Sequence, residues 1–237
     1  MYIYNHNADT TMAKLISADL TDNKLCILEY TTTDGQMLSF KEDKFDAKIV
    51  SHTYNGKGSV IFEKPITNIG RKAFTDAYTL LNIIIPNSVT SIGFCAFSNC
   101  SSLTSVTIPD SVTMIGYDAF SGCIGLTSVT ISNSVTTIGN HAFYNCSSLT
   151  SVTIPDSVTT IGDYAFRDCI NLASVTIGKG VRYIGENSFM DCNIGTIICC
   201  PKMPPKINDS FDKFENLIVP TGCEEAYANS DWGQYLE

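Results

Sequence analysis

Apolar positions in this chain recur in a fixed order. Leu103, Val106 and Ile108 precede Pro109, then come Val112, Ile115-Gly116 and Ala119-Phe120. The strand-like part returns as Leu126/Val129/Ile131, Leu149/Val152/Ile154 and Leu172/Val175/Ile177. Ile-Gly pairs begin at Ile69, Ile92, Ile115, Ile138, Ile161 and Ile184, a constant step of 23 residues. A fixed period of this length is the signature of a solenoid, in which each unit buries its apolar side against the next.

Each unit can be read physically. Val106 and Ile108 stand two apart, as on the inward face of a strand. Pro86, Pro109 and Pro155 end the strand, because proline has no N–H to give the ladder. Val112 and Ile115 turn inward on the return path, and Gly116 occupies a bend that a side chain would obstruct. Phe74, Phe97, Phe120, Phe143, Phe166 and Phe189 fill the far wall. Strands from successive coils run one way, so the sheet is predicted parallel. A unit this short has no room for a full crossover helix, which leaves short helical or 3₁₀ turns for the return limb.

The ends depart from the pattern. Residues 1–56 read as a small β-rich module, with strands at 25–30 and 49–54 and Thr33-Asp34-Gly35-Gln36 as a hairpin turn. The array proper spans 57–200. Aligning Ile69 with Ile92 places Val60 and Phe62 under Ile83 and Ile85, so 58–68 reads as a half repeat offering the first coil a strand. Beyond Cys192, Ile198 and Cys200-Pro201 are matched to the strand and its proline. Phe211 takes the repeat phenylalanine position, 217–219 forms a last strand, and 224–228 suggests a short helix followed by Trp232 and Tyr235. Residues 201–237 thus read as an irregular last repeat and a cap, which arrays need to cover their apolar ends.

Charge and cysteine content narrow the function classes. A net charge of −9 repels phosphate backbones, so nucleic acid is not an expected partner. No apolar run is long enough for a membrane-spanning helix, and no membrane insertion is expected. Residues 1–20 are too polar for a signal-peptide core, so no export signal is visible; the protein stays inside, or a signal has been removed. Of the 10 cysteines, Cys100, Cys123, Cys146, Cys169 and Cys192 fall at the repeat period and read as buried thiols. Cys199-Cys200 has no second pair of ligands beside it, and neither a metal nor a cofactor is expected.

The unit Leu-x-x-Val-x-Ile-Pro-x-Ser-Val-x-x-Ile-Gly-x-x-Ala-Phe-x-x-Cys resembles the BspA-like, or Treponema-type, leucine-rich repeats over about Val60 to Pro220. The tail with Val219-Pro220, Glu225-Ala226-Tyr227 and Trp232 is similar to the terminal cap of gut Bacteroidetes members, and Thr33-Asp34-Gly35 with 47–54 to a lead-in module seen there. The resemblance implies an α/β fold: a right-handed leucine-rich-repeat solenoid with a parallel β-sheet on its concave face. It implies a surface-attached or secreted protein that adheres to a host protein, another cell or a glycan. It implies no enzymatic activity.

The outward strand positions are the candidate ligand-binding residues: Ser105, Thr107, Ser128, Thr130, Ser151, Thr153, Ser174 and Thr176. These hydroxyl ladders suit many modest hydrogen bonds to a protein or glycan, and equally suit a plain solvated strand surface. Residues that break the repeat are further contact candidates: Phe94, Tyr117, His141, Tyr144, Arg167, Arg182 and Tyr183. An enzyme is the competing class, yet His6, His52 and His141 lie in different segments without triad-like spacing. No Gly-rich phosphate loop is present. A structural spacer with no ligand of its own is the third class. The expectation is a monomeric, non-catalytic binding protein.

Overall fold

The structure, a computed structural model, describes residues 26–40 and 42–236. Residues 1–25, with His6 and the first residue of the strand expected at 25–30, lie outside the described residues. The chain coils as a β-solenoid carrying two ladders. One is a row of longer strands in three sheets: β1 (Cys26–Thr32), β2 (Ile49–Tyr54), β3 (Gly58–Phe62) and β5 (Leu80–Ile84) form the first, β7 (Ser105–Thr107) and β9 (Ser128–Thr130) the second, and β11 (Ser151–Ile154), β13 (Ser174–Ile177), β15 (Thr196–Cys199) and β17 (Asn216–Ile218) the third. The other is a seven-stranded sheet of two-residue strands at and around the Ile-Gly pairs: β4 (Asn68–Ile69), β6 (Ser91–Ile92), β8 (Met114–Ile115), β10 (Thr137–Ile138), β12 (Thr160–Ile161), β14 (Tyr183–Ile184) and β16 (Lys206–Ile207).

Pairing between coils is parallel and in register. Ser105, Val106 and Thr107 face Ser128, Val129 and Thr130, and β11, β13, β15 and β17 continue in the same sense. The glycine after each isoleucine is required by this stacking. A Cβ on Gly116 would sit 2.6 Å from the Ile92 carbonyl oxygen of the preceding coil.

The return limbs differ in detail from the helical or 3₁₀ turns expected. Cys95, Phe97 and Asn99 send their N–H groups to Tyr117, Ala119 and Ser121 in the next coil, at 3.0, 2.7 and 2.7 Å. Ala96, Ser98 and Cys100 instead bond three residues back, to Gly93, Cys95 and Phe97, each at 3.2 Å. Alternate donors are committed to the neighbouring coil, so a continuous helical ladder cannot form. The limb becomes a string of single turns separated by left-handed residues, Cys95 (φ 52°) and Asn99 (φ 60°) in this coil. The second such position is Asp76, Asn99, Gly122, Asn145, Asp168 or Asp191, the residue types that tolerate this conformation best. Among the described residues, α-helix is confined to α1 (Glu224–Ala228), with 3₁₀ turns at Glu42–Lys44 and Asp231–Tyr235.

Three sequence-based expectations are corrected. The half repeat does not hand its strand to the first coil, because β1 inserts between β3 and β5 and pairs antiparallel with both. The turn at 33–36 therefore closes no hairpin; the hairpin is β2–β3, turning at Gly56 (φ 71°). The unit after Cys192 is one residue short. Ile197 and Cys199, facing Val175 and Ile177, point inward, while Ile198 faces Thr176 and is 39% exposed. A one-residue slip exchanges the two faces of a strand, which is why matching Ile198 to the core reversed this segment.

The core is a single column. Phe74, Phe97, Phe120, Phe143, Phe166, Phe189 and Phe211 stack with centroids 5.1–5.3 Å apart and planes within 8° of parallel. At that spacing the near-parallel rings are offset, which the ring quadrupole favours. Edge-on aromatics close the column at one end, Phe40 and Phe45 against Phe74. At the other, Tyr235 and Phe214 meet Phe211 edge-on while Trp232 lies tilted against it, fully buried, its indole N–H donating to the Pro205 carbonyl at 2.8 Å. Beside the column, Ser188 and Ser210 replace the repeat alanine without leaving a polar group unmet. Ser188 Oγ lies 2.8 and 2.7 Å from the Gly162 and Gly185 carbonyls.

Removing a ring from mid-column leaves a cavity between two coils. Phe143→Ala is expected to lower unfolding stability by about 3–5 kcal/mol, whereas Ser188→Ala, restoring the residue that Ala73, Ala96, Ala119, Ala142 and Ala165 supply in other coils, should shift it by less than about 1 kcal/mol. Urea denaturation followed by circular dichroism measures both.

Candidate binding surfaces

The strand face presents the expected ladder only in part. Ser105, Thr107, Ser128, Thr130, Ser151, Thr153 and Ser174 are exposed, and Thr176 is half-buried. The same outward column runs into isoleucine at both ends: Ile84 (58% exposed) at one, Ile198 and Ile218 (52% exposed) at the other. Ile84, Thr107 and Thr130 line one cleft of about 440 Å³ with Asn87, Asp110 and Ser132. Sequence alignment missed Ile198 because of the register slip; the 22-residue step from Leu172 to Ile194 was the available signal.

A second surface gathers residues that break the repeat. Phe94 stacks on Tyr117 (5.4 Å, 16°), Tyr117 packs against His141 (5.2 Å, 42°), and His141 stacks on Tyr164 (4.8 Å, 14°). Tyr144 meets His141 edge-on at 5.7 Å. Guanidinium groups cover both ends: Arg71 lies 4.7 Å over Phe94 and Arg167 lies 5.7 Å over Tyr164. Arg167 is held in turn by Asp191 at 3.0 Å. Phe94, Tyr117, His141, Tyr144 and Arg167, recognised singly in the sequence, thus form one edge. Arg71 and Tyr164 were missed, although the 23-residue step places Arg71 under Phe94 and Tyr164 above His141. Arg182 and Tyr183 lie apart from it, Tyr183 in β14.

This edge holds Cys95, Asp118 and His141 at one position of three successive coils, but in an order that does not build a catalytic triad. Asp118 stands beside the thiol, with Cys95 Sγ 3.9 Å from its carboxylate. Burial and the Asp118 charge push the Cys95 thiol up, away from the thiolate a nucleophile needs. His52 is remote from them, its ring nitrogen 2.7 Å from the Tyr30 hydroxyl, and burial lowers its pKa. Among the described residues no cluster of three His, Cys, Asp or Glu side chains could hold a metal ion. No helix among them is long and apolar enough to cross a membrane.

The periodic cysteines are hydrogen-bond donors inside the wall. Sγ of Cys100, Cys123, Cys146, Cys169 and Cys192 lies 3.1–3.3 Å from the carbonyl oxygens of Phe74, Phe97, Phe120, Phe143 and Phe166. Each thiol tethers its coil to the preceding one. All five are free and buried. Burial holds the Cys146 and Cys169 thiols well above the ordinary value of 9.0.

Residues 67–195 match the BspA-type leucine-rich repeat region in six copies, and the chain belongs to this family. Its members are repeat proteins, in keeping with a binding or scaffold role. No curated protein matches the chain. Among solved structures, the T. pallidum leucine-rich repeat protein TpLRR is 23% identical with a TM-score of 0.50, over 64% of this chain and 86% of that one. The pneumococcal vaccine antigen PcpA is 19% identical with a TM-score of 0.55, over 75% of this chain but only 44% of its own. A Bacteroides ovatus leucine-rich repeat protein is 26% identical with a TM-score of 0.37, over 70% of this chain and 51% of that one. At these identities the first two likenesses speak for the fold alone.

Two outcomes follow from the thiol column. In the native protein a thiol reagent should label Cys200 and Cys223, which are half-buried, while the five column cysteines react only on unfolding; mass spectrometry of the labelled peptides reads this. Because folding raises the thiol pKa, the native state binds these protons more tightly than the unfolded chain. The stabilisation is therefore full below pH 9.0 and is lost as pH rises from there toward the raised folded value. Urea midpoints should fall as pH rises past about 9, and fall less in a Cys146→Ala/Cys169→Ala variant.

Proposed function

We propose that this chain is a non-catalytic binding module, displayed at a cell surface or secreted, that engages a partner protein through the edge running from Arg71 to Arg167. The observation that carries this reading is the ladder Phe94–Tyr117–His141–Tyr164 itself. The core has its own phenylalanine column, so the fold does not require a second aromatic stack. Phe94 and Tyr117 are 36% and 42% exposed. Tyrosine and arginine are the residue types that dominate interface energetics, because they bring large area and a polar end together.

The ring geometry favours a protein over a neutral glycan. Sugar recognition by stacking needs open ring faces, and here those faces are taken by the next ring or by an arginine. A partner meets ring edges, hydroxyls and guanidinium groups. The division into a lead-in at 1–56, an array at 57–200 and a cap at 201–237 belongs to the same reading, with the array as the binding element. A second reading places contact on the strand face, favoured by exposed Ile84, Ile198 and Ile218 at the ends of the hydroxyl ladder.

A screen of the purified chain against host extracellular proteins and complex glycans, read by surface plasmon resonance, tests this. Tyr117→Ala with Tyr164→Ala is expected to weaken binding to the protein identified by at least about tenfold. Thr107→Lys, Thr130→Lys and Thr153→Lys together should leave it within about twofold. The reverse pattern would move the site to the strand face. No saturable binding at all would support a spacer instead.

A further inference from the structure

The charge pattern of the array changes abruptly at one coil. No lysine or arginine occurs between Lys72 and Arg167. At the turn after the strand, Asp110, Asn133 and Asp156 give way to Lys179, and Thr113, Thr136 and Thr159 give way to Arg182. Both positions are exposed, so the solenoid core imposes neither change. The next coil adds Lys202. These three cations line one cleft of about 660 Å³ together with Val181, Cys200, Pro201, Met203, Pro204 and Pro220, and no carboxylate lines it.

Among the described residues only Lys179 of the three has a counter-ion, Asp156 at 3.4 Å, and this is a solvent-exposed pair of small energetic weight. Asp156 is committed elsewhere as well, accepting the Lys179 backbone N–H at 2.8 Å. Arg182 and Lys202 form no ion pair among the described residues. The apolar wall is fixed from behind by the cap, since the Tyr227 hydroxyl donates to the Pro201 carbonyl at 2.7 Å and Trp232 to that of Pro205. Met203, 77% exposed, stands on this braced wall. In a chain of net charge −9, a carboxylate-free cleft with two unpaired cations and an apolar wall is a local inversion of the surface.

We infer that this cleft is a docking site for an acidic peptide segment of a partner protein, its carboxylates meeting Arg182 and Lys202 and an apolar side chain resting on Met203, Pro204 and Pro220. The Arg182 guanidinium supplies the planar fork that matches a carboxylate. Peptide is favoured over sulfated glycan by the wall. No aromatic ring lines the cleft for a sugar to stack on, and a polyanionic sugar would leave Met203 and the prolines without a partner. The inference does not depend on the aromatic edge, with which the cleft shares no residue.

A short fluorescein-labelled peptide of Asp, Glu and Leu, titrated with the full chain and read by anisotropy, tests it. Saturable binding is expected, falling about tenfold or more with Arg182→Ala or Lys202→Ala, and weakening as salt rises. Arg182→Lys should recover part of the loss, because charge remains while the fork is gone. Lys64→Glu, an exposed charge reversal near the opposite end of the array, should leave the affinity within about twofold. An Asn, Gln and Leu version of the peptide should not bind. Absence of saturable binding would overturn the inference, as would an Arg182→Ala protein that binds like wild type. Equal binding of the uncharged peptide would overturn it too. If heparin fragments bound in an Arg182-dependent way and the peptide did not, the site would be a glycan site and the peptide assignment would fall.

Discussion

Every coil must join the next through its backbone at an unchanging step, and the rest of the structure depends on that constraint. Alternate N–H groups of the return limb are already bonded to the neighbouring coil, so the limb can neither become a helix nor drift in register. The glycine column follows, because the preceding backbone occupies the space a Cβ would need. So does the alignment of identical side chains, which turns a repeated phenylalanine into a stacked column and a repeated cysteine into a series of thiol-to-carbonyl tethers. Such an array has stability spread over nearest-neighbour contacts, and its vulnerable places are its two ends.

Both ends are closed by aromatic side chains turned against the terminal ring. Phe40 and Phe45 perform this at Phe74, and Trp232, Tyr235 and Phe214 at Phe211. A stacked column has no internal stop, since each ring face invites another. Rings turned edge-on, and the buried Trp232 across the face, replace that invitation with contacts that do not repeat. The intercalated strand β1 does the same for the backbone at the first coil, occupying the β5 ladder edge in antiparallel sense.

Since stacking dictates the inside, individuality survives only where the repeat is broken on the outside. Phe94, Tyr117, His141 and Tyr164 occupy limb positions whose counterparts include Asp163, Glu186 and Asn187, so their common aromatic character is not a packing requirement. Lys179 and Arg182 likewise replace Asp and Thr. The two surfaces differ in kind: one a stack of rings seen edge-on between arginines, the other a cationic cleft with an apolar wall.

Fold class, the inward residues of the regular coils, the periodic thiols and the aromatic residues that close the far end were legible in the sequence. Each follows from a local period whose inside and outside are marked by apolar spacing. Five of the seven residues on the aromatic edge were recognisable as departures from the repeat, though only one by one. Arg71 and Tyr164 joined them through stacking across coils, a relation that local pattern does not encode. The position of β1 between β3 and β5 was equally hidden, because antiparallel and parallel partners present the same alternation along a single strand. The inversion of Ile197 and Ile198 turned on a single missing residue. Apolar spacing therefore determined what is buried in the regular coils, and tertiary structure alone decided which residues meet, because contacts between coils join positions 20 to 26 residues apart.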